Sequence, residues 1–250
     1  LARFCVTATW DDVPHLSKED KDELWSAYPP HERDARAKGI PMLGSGAVWP
    51  ISEDRIKCEP FKIPEHWVQI GGVDFGIDHP FAGTRIAWDR DADVIYVTNC
   101  YKQSDETPPV HVATLRSWGR WIPWAWPHDG LNREKGSGKP LATIYREHGL
   151  NMLMEMATHP EGGNSLEASV MDIYERMKTD RFKVFSNLEQ WFQELRLFHR
   201  KDGKIVPLKD DVISATRYAV MMKRFATIDP SFYDDEEDSY DSRGNDSTGY

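Results

Sequence analysis

The spacing of apolar residues divides this chain into elements before any chemistry is considered. Trp67 to Phe75 is almost wholly apolar or small, which predicts a buried strand. Ala82–Asp89 and Val94–Tyr101, rich in β-branched and aromatic residues, predict two more. The turn Arg90-Asp91-Ala92-Asp93 joins the last two, so the three form an antiparallel meander. Pro108 opens a helix to about Trp118, and Trp124–Pro127 reads as a short strand leading into His128-Asp129-Gly130. Leu141–His148 is expected as a helix stopped by Gly149, with a strand over Leu150–Glu155. Ser165 opens a helix to about Lys178, and Phe182–Val184 forms an edge strand. Asn187 caps a helix whose Trp191, Leu195 and Phe198 recur at helical spacing, and Arg200–Lys204 makes a hairpin turn. The last helix starts at Asp210 or Asp211, with Val212, Ala215, Tyr218, Ala219 and Met222 on one stripe. A meander followed by alternating helices and strands predicts an α/β fold with a mixed sheet flanked by helices.

Ahead of this unit, Leu1–Thr9 reads as a strand running into a loop, and Asp11–Leu16 as a turn. Ser17 caps a helix to about Ser26, with Glu19 and Asp20 in its first turn where the helix dipole favours acids. Tyr28-Pro29-Pro30 stops it, and His31–Lys38 forms a short helix closed by Gly39. Residues 40–66, with Pro41, Gly44, Gly46, Pro50, Pro60 and Pro64, read as an extended connector. The opening Leu1-Ala2-Arg3-Phe4 has no starting Met and no signal-peptide pattern, which suggests a piece of a longer protein.

Composition narrows the function classes. Hydrophobic residues make up 40 % and aromatics 12 %, enough for a sizeable core. No apolar run approaches the ~20 residues that span a bilayer, so no membrane partner is expected. Cys5, Cys58 and Cys100 are scattered and odd in number, which excludes a disulfide framework and a structural zinc site and fits a reducing cytoplasm. The net charge of −10 at first sight counts against nucleic acid. However, residues 229–250 hold eight acids and a single base, Arg243, and carry −7 of it. That tail is expected to be disordered. The remaining body, at −3, is close enough to neutral to hold a basic groove around an acidic site.

Three acids stand where backbone geometry can gather them. Asp74 ends an apolar strand, Asp129 follows another and precedes Gly130, and the pair Asp210-Asp211 begins the last helix. Carboxylates collected at strand ends repel one another unless a cation joins them, and oxygen ligands select hard ions such as Mg²⁺ or Mn²⁺. Two such ions about 4 Å apart clamp the attacking and leaving oxygens of a phosphodiester. Asp74, on the most buried strand, is the natural bridging ligand. Each acid also has a plain structural use: a turn for Asp129-Gly130, a helix N-cap for Asp210 or Asp211.

The stretches that carry these acids resemble a known family. Gly72-Val73-Asp74-Phe75-Gly76-Ile77-Asp78-His79-Pro80-Phe81-Ala82 looks like the first motif of the large-terminase nuclease domain of tailed phages, which has an RNase H-like fold. Trp126-Pro127-His128-Asp129-Gly130 resembles the second acidic motif, and Lys209-Asp210-Asp211-Val212-Ile213-Ser214-Ala215-Thr216-Arg217-Tyr218-Ala219 the third. The similarity spans roughly residues 65–225 and is nearest the headful-packaging type. It implies an RNase H-like mixed sheet and a metal-dependent endonuclease that cuts concatemeric double-stranded DNA at initiation and termination of packaging. Asp74, Asp129 and Asp211 would be catalytic metal ligands with Asp210 beside them, and Mg²⁺ or Mn²⁺, two per site, the cofactor. Of the Asp210-Asp211 pair, Asp211 is the preferred ligand. Many relatives carry an Asp where this chain has Ser214, which thins the third arm of the site. Val6-Thr7-Ala8-Thr9-Trp10 resembles the end of the terminase ATPase domain, while no Walker A pattern occurs, so no ATPase activity is expected here.

The expected division is therefore 1–64 as the end of an ATPase domain and linker, 65–226 as the nuclease, and 227–250 as the tail. The resemblance also implies partners: double-stranded DNA, a portal protein, a small terminase subunit and the ATPase domain of the full chain. The place would be the host bacterial cytoplasm at the procapsid portal vertex. His79 and His128 lie beside the acidic loops as auxiliary candidates, whereas Asp78 reads as a turn residue. Arg133, Lys135 and Lys139, and the hairpin Arg200, Lys201 and Lys204, are candidates to grip the DNA backbone. Rival readings are a resolvase- or transposase-type RNase H-like nuclease, and a portal- or capsid-docking module with a vestigial site.

Overall fold

The computed structural model describes residues 8–28, 33–39, 46–76, 80–134 and 136–231. Its centre is a six-stranded mixed sheet. The strands are β1 (Lys57–Cys58), β2 (Val68–Asp74), β3 (Phe81–Asp89), β4 (Val94–Gln103), β5 (Trp124–Ala125) and β6 (Phe182–Phe185). Their order across the sheet is β1-β6-β4-β3-β2-β5. The meander β2-β3-β4 is antiparallel as predicted, while β5 runs parallel to β2, and β6 parallel to both β4 and β1.

Helices cover both faces. α4 (Pro108–Arg116) and α5 (Leu141–Glu147) close one side over a core of Val73, Phe75, Phe81, Leu115, Trp124 and Tyr145. α6 (Leu166–Lys178), α7 (Glu189–Leu197) and α8 (Asp211–Met221) close the other, over Ile70, Ile86, Val97, Ile173, Trp191 and Ile213. Successive side chains of a strand alternate faces. In β2, Val68 and Ile70 therefore join the second core and Val73 the first. Gly72 and Asp74 share the parity of Val68 and Ile70, so Asp74 is presented on the α8 side.

Gly72 sets how close that side comes. A Cβ there would lie 2.0 Å from the Ala215 carbonyl oxygen and 2.8 Å from the Ala219 nitrogen of α8. Only a residue without a side chain lets the helix backbone rest on the strand.

Several expectations change. The stretch read as an extended connector is partly core. Trp49 is buried, stacks on Trp191 at 6.4 Å and donates its indole N–H to the Val170 carbonyl. α3 (Glu53–Ile56) buries Ile56 and leads into β1. β1 in turn places β6 inside the sheet rather than at its edge. Both features depend on pairing across more than a hundred residues, which local pattern does not report. The strand expected over 150–155 is reduced to one bridge, Met152 to Trp124. α7 starts after Leu188, not after a capping Asn187.

The helix predicted after Ser17 is present as α1 (Lys18–Ala27) with a capping box, and α6 begins where predicted, with Ser165 as its N-cap. α2 is Arg33–Lys38, ending at Gly39 with positive φ. Of the strand expected over Leu1–Thr9, residues 1–7 lie outside the described residues; Thr9 caps a 3₁₀ turn, Trp10–Asp12. The hairpin is β7 (Arg200–Lys201) and β8 (Lys204–Ile205). The acidic tail beyond residue 231 lies outside the described residues. Among those described, no helix is long and apolar enough to cross a membrane.

Candidate active site

Three chain segments deliver acids to one place. Asp74 is the last residue of β2, half-buried, in register with Ala82 of β3. Because β5 pairs parallel to β2, with Gly71 opposite Trp124 and Gly72 opposite Ala125, the chain leaving β5 emerges beside Asp74. It turns at once into a 3₁₀ helix, His128–Leu131, that carries Asp129 exposed. Gly130 holds this turn against the core, since a Cβ there would stand 2.3 Å from the Trp126 ring. The third segment is the start of α8. Asp74, Asp129, Asp210 and Asp211 all line one cavity of about 590 Å³, together with Ser214 and Tyr218.

The structure separates the two adjacent aspartates. Asp210 is the N-cap residue of α8, and Ser214 and Tyr218 follow it at intervals of four on one helix face. Ser214 Oγ donates to Asp210 Oδ2 at 3.4 Å. Asp211, rotated about 100° on the helix, is buried and bound to Lys102, whose Nζ lies 2.6 Å from Asp211 Oδ2. The same Nζ lies 2.6 Å from Glu194 Oε1. Glu194 Oε2 accepts the backbone N–H groups of Val212 (2.7 Å) and Ile213 (3.1 Å).

Titration behaviour follows this division. Burial first, then the charge of Asp211, raises the Asp210 carboxyl above its ordinary range, with Arg217 pulling the other way. Burial pushes the Tyr218 phenol up to about 12, helped by the negative charge of Asp74, then of Asp129 and Asp210. The phenol thus senses all three acids and stays protonated at neutral pH. Arg217, buried, donates to Ser169 Oγ at 2.9 Å; desolvation lowers its pKa, opposed only in part by Tyr218, Asp210 and Asp74. Burial raises the Glu194 carboxyl to about 7 despite Lys102 beside it.

The donor set is all oxygen, which suits hard divalent cations. Among the described residues, however, no three carboxylate, imidazole or thiol groups stand close enough together to hold one ion. The cavity therefore offers ligands from separate walls and leaves coordination positions for other oxygens to fill, as Mg²⁺ sites commonly do.

Of the other sequence candidates, none among the described residues lines this cavity. His79, Asp78 and Lys135 lie outside the described residues. His128 is exposed and does not line the acidic cavity. Arg133 donates to the Gly138 carbonyl, Lys139 pairs with Glu147 at 2.7 Å, and Arg200 makes a two-point contact with Glu167. Lys201 and Lys204 face each other across the hairpin, exposed. Sequence reading missed Lys102 and Glu194. A signal existed for Glu194: it stands three residues after Trp191 and one before Leu195, an acid on an apolar helix stripe.

Comparison with known proteins places this arrangement. Residues 71–223 match the family model described as the terminase RNaseH-like domain. The terminase large subunit of Salmonella phage P22 is 46 % identical over 222 residues, covering 88 % of this chain and 44 % of that protein. The chain thus spans less than half the length of this curated relative. The structure of the P22 large terminase nuclease domain matches with TM-score 0.69 and 46 % identity, over 74 % of this chain and 96 % of that one. The large terminase nuclease of thermophilic phage G20c, solved with bound cobalt, shares the fold at TM-score 0.50 and 16 % identity, over 70 % of this chain and 97 % of that one. With its strand order, its two helical layers and a match running from the glycine pair of β2 to the residues just beyond α8, this chain belongs to the terminase RNase H-like family and carries a large-terminase nuclease domain.

Proposed function

We propose that this domain cuts double-stranded concatemeric DNA for a viral packaging motor, using Mg²⁺ or Mn²⁺, two per site, held by Asp74, Asp129 and Asp210. The observation that carries this reading is the convergence of carboxylates from β2, the turn after β5 and the start of α8 on one cavity. Divalent ions bound there would lower the pKa of a water and offset charge on the phosphate and the leaving oxygen. DNA phosphate oxygens would complete coordination that the protein alone leaves open. Asp74 would be the ligand shared by the ions, since its strand has β5 beside it and α8 packed on its face. Asp210 takes the ligand role in place of Asp211, which Lys102 engages. Tyr218, protonated and beside the acids, is placed to donate a hydrogen bond to a phosphate oxygen, and Arg217 supports the negative cluster from below.

In hydrolysis, water adds to phosphorus opposite the 3′ oxygen, the P–O3′ bond breaks, and the 3′ oxygen leaves with a proton. In this reading residues 46–64 go with the nuclease unit, supported by Val48 and Trp49 in the same core. Further proposals are the portal, the small terminase subunit and the ATPase domain of the full chain as partners, at the portal vertex in the host cytoplasm.

Cutting of supercoiled plasmid tests the reading. Linear or nicked product is expected with Mn²⁺ and none with EDTA. Asp74→Ala and Asp210→Ala should abolish it, with Asp211→Ala the milder. Equal cutting by Asp74→Ala removes the assignment to this site, and loss with Asp211→Ala but not Asp210→Ala reverses the choice within the pair.

A further inference from the structure

An aspartate at a helix N-cap ordinarily folds its carboxylate back over the N–H groups of the second or third helical residue. Asp210 holds that position on α8 and makes no such bond. Those N–H groups, of Val212 and Ile213, are taken instead by Glu194, reaching across from α7 at 2.7 and 3.1 Å. The other oxygen of Glu194 binds Lys102, and Lys102 binds Asp211. Glu194 is only 4 % exposed and Asp211 6 %. Burying two carboxylates and an ammonium gives little net stability compared with apolar packing of equal volume. The contacts do something apolar residues cannot: they satisfy the helix end without using Asp210.

From this we infer that Glu194 is a positioning residue that caps α8 from outside the helix, so that Asp210 faces the cavity uncommitted to its own helix end while Asp211, on the same cavity wall, is paired with Lys102. The inference rests on the proposed metal-ligand role of Asp210. Without Glu194, the exposed N–H groups recruit the nearest carboxylate, and Asp210 turns back to cap its own helix. Lys102 closes the arrangement by holding Asp211 on the α7 side.

The test uses the whole chain and has two readouts. Mn²⁺ affinity is measured by electron paramagnetic resonance of the free ion, which needs no cutting, and the Mn²⁺ concentration for half-maximal plasmid cutting is measured alongside. Glu194→Ala should weaken Mn²⁺ about 10- to 100-fold, as loss of a group that orients a metal ligand does. Excess Mn²⁺ should restore much of the cutting. Glu194→Asp, one methylene shorter and still charged, should shift in the same direction and serves if the alanine variant does not fold. Glu194→Gln keeps an acceptor at the helix end and should stay within about threefold of the parent, a shift of under 1 kcal/mol. In the Asp210→Ala background, Glu194→Ala should add almost nothing, because Glu194 acts through Asp210.

A merely structural role lowers signal in proportion to unfolded protein and leaves the Mn²⁺ midpoint where it was. An unchanged midpoint in both Ala and Asp variants, or a Gln variant as weak as Ala, overturns the inference. Failure of the parent chain to bind Mn²⁺, or binding indifferent to Asp74→Ala, overturns the underlying metal assignment instead.

Discussion

Adding a single methyl at Gly72 tests the link between packing and site. In Gly72→Ala the new Cβ would stand 2.0 Å from the Ala215 carbonyl oxygen, short of ordinary contact at 3.4 Å by about 1.4 Å. The opposing atom is helix backbone, so no side-chain rotamer relieves it, and the Ala219 nitrogen at 2.8 Å blocks sliding along the helix. α8 must lift off β2. Overpacking of this kind costs roughly 1–3 kcal/mol, with the upper part of the range expected for a backbone clash. At 2–4 °C per kcal/mol for a domain of this size, the melting temperature falls by about 4–12 °C. The lift also carries Asp210, Ser214 and Tyr218 away from Asp74. A displacement of about 1 Å in positioned groups costs on the order of 100-fold in rate. Denaturant unfolding and plasmid cutting at saturating Mn²⁺, run on protein confirmed folded at the assay temperature, check both. Stability within 0.5 kcal/mol of the parent together with parental cutting would refute the contact between β2 and α8 as the element that sets the site.

Other outcomes follow from the cores. Burial drives the His111 imidazole down to about 4; it stacks on Phe81 at 4.1 Å, and its Nδ1 meets the Tyr145 hydroxyl at 2.8 Å. A base whose folded pKa lies below its unfolded value near 6.5 gives full stability above pH 6.5 and loses it as pH falls toward 4. With His111 only 5 % exposed, the loss is about 2–3 kcal/mol. Urea midpoints between pH 7 and 4 should fall less in His111→Phe than in the parent, and identical slopes would count against a neutral buried His111. Trp49→Ala should cost about 3–5 kcal/mol, as core tryptophans do. A loss under 1 kcal/mol by the same denaturation assay would return residues 46–58 to the role of linker.

Much of this was legible in the sequence because it is local. β2, β3 and β4 showed as three apolar runs with one tight turn, and α6 showed through Ser165 at its start. The acids were legible too, since each ends or begins a periodic segment, and the family motifs ordered them. The unread features need a partner distant in sequence. β1 is two residues, Lys57 and Cys58, and becomes a strand only against Val184 and Phe185. Trp49 belongs to the core only once Trp191 and Val170 are beside it. The choice between Asp210 and Asp211 turns on Lys102 and Glu194, which lie 109 and 17 residues before Asp211. Nor does sequence show that Glu147 and Glu167 pair with the basic candidates Lys139 and Arg200.

The strand order has a mechanical side. The chain enters the sheet through β1 at one edge, while the acids gather at β2 and β5 near the other. Three strands stand between β1 and β2, so at ~4.8 Å per step about 19 Å separates them. Tension applied to the chain ahead of Ala47 meets first the Ala47–His199 bridge, buried Trp49 and α3, and only then the two-residue pairing of β1 with β6. The β2–β3 ladder, seven residue pairs long, lies beyond β6 and β4. A pull on the β1 edge therefore reaches the strand that carries Asp74 only through the rest of the sheet.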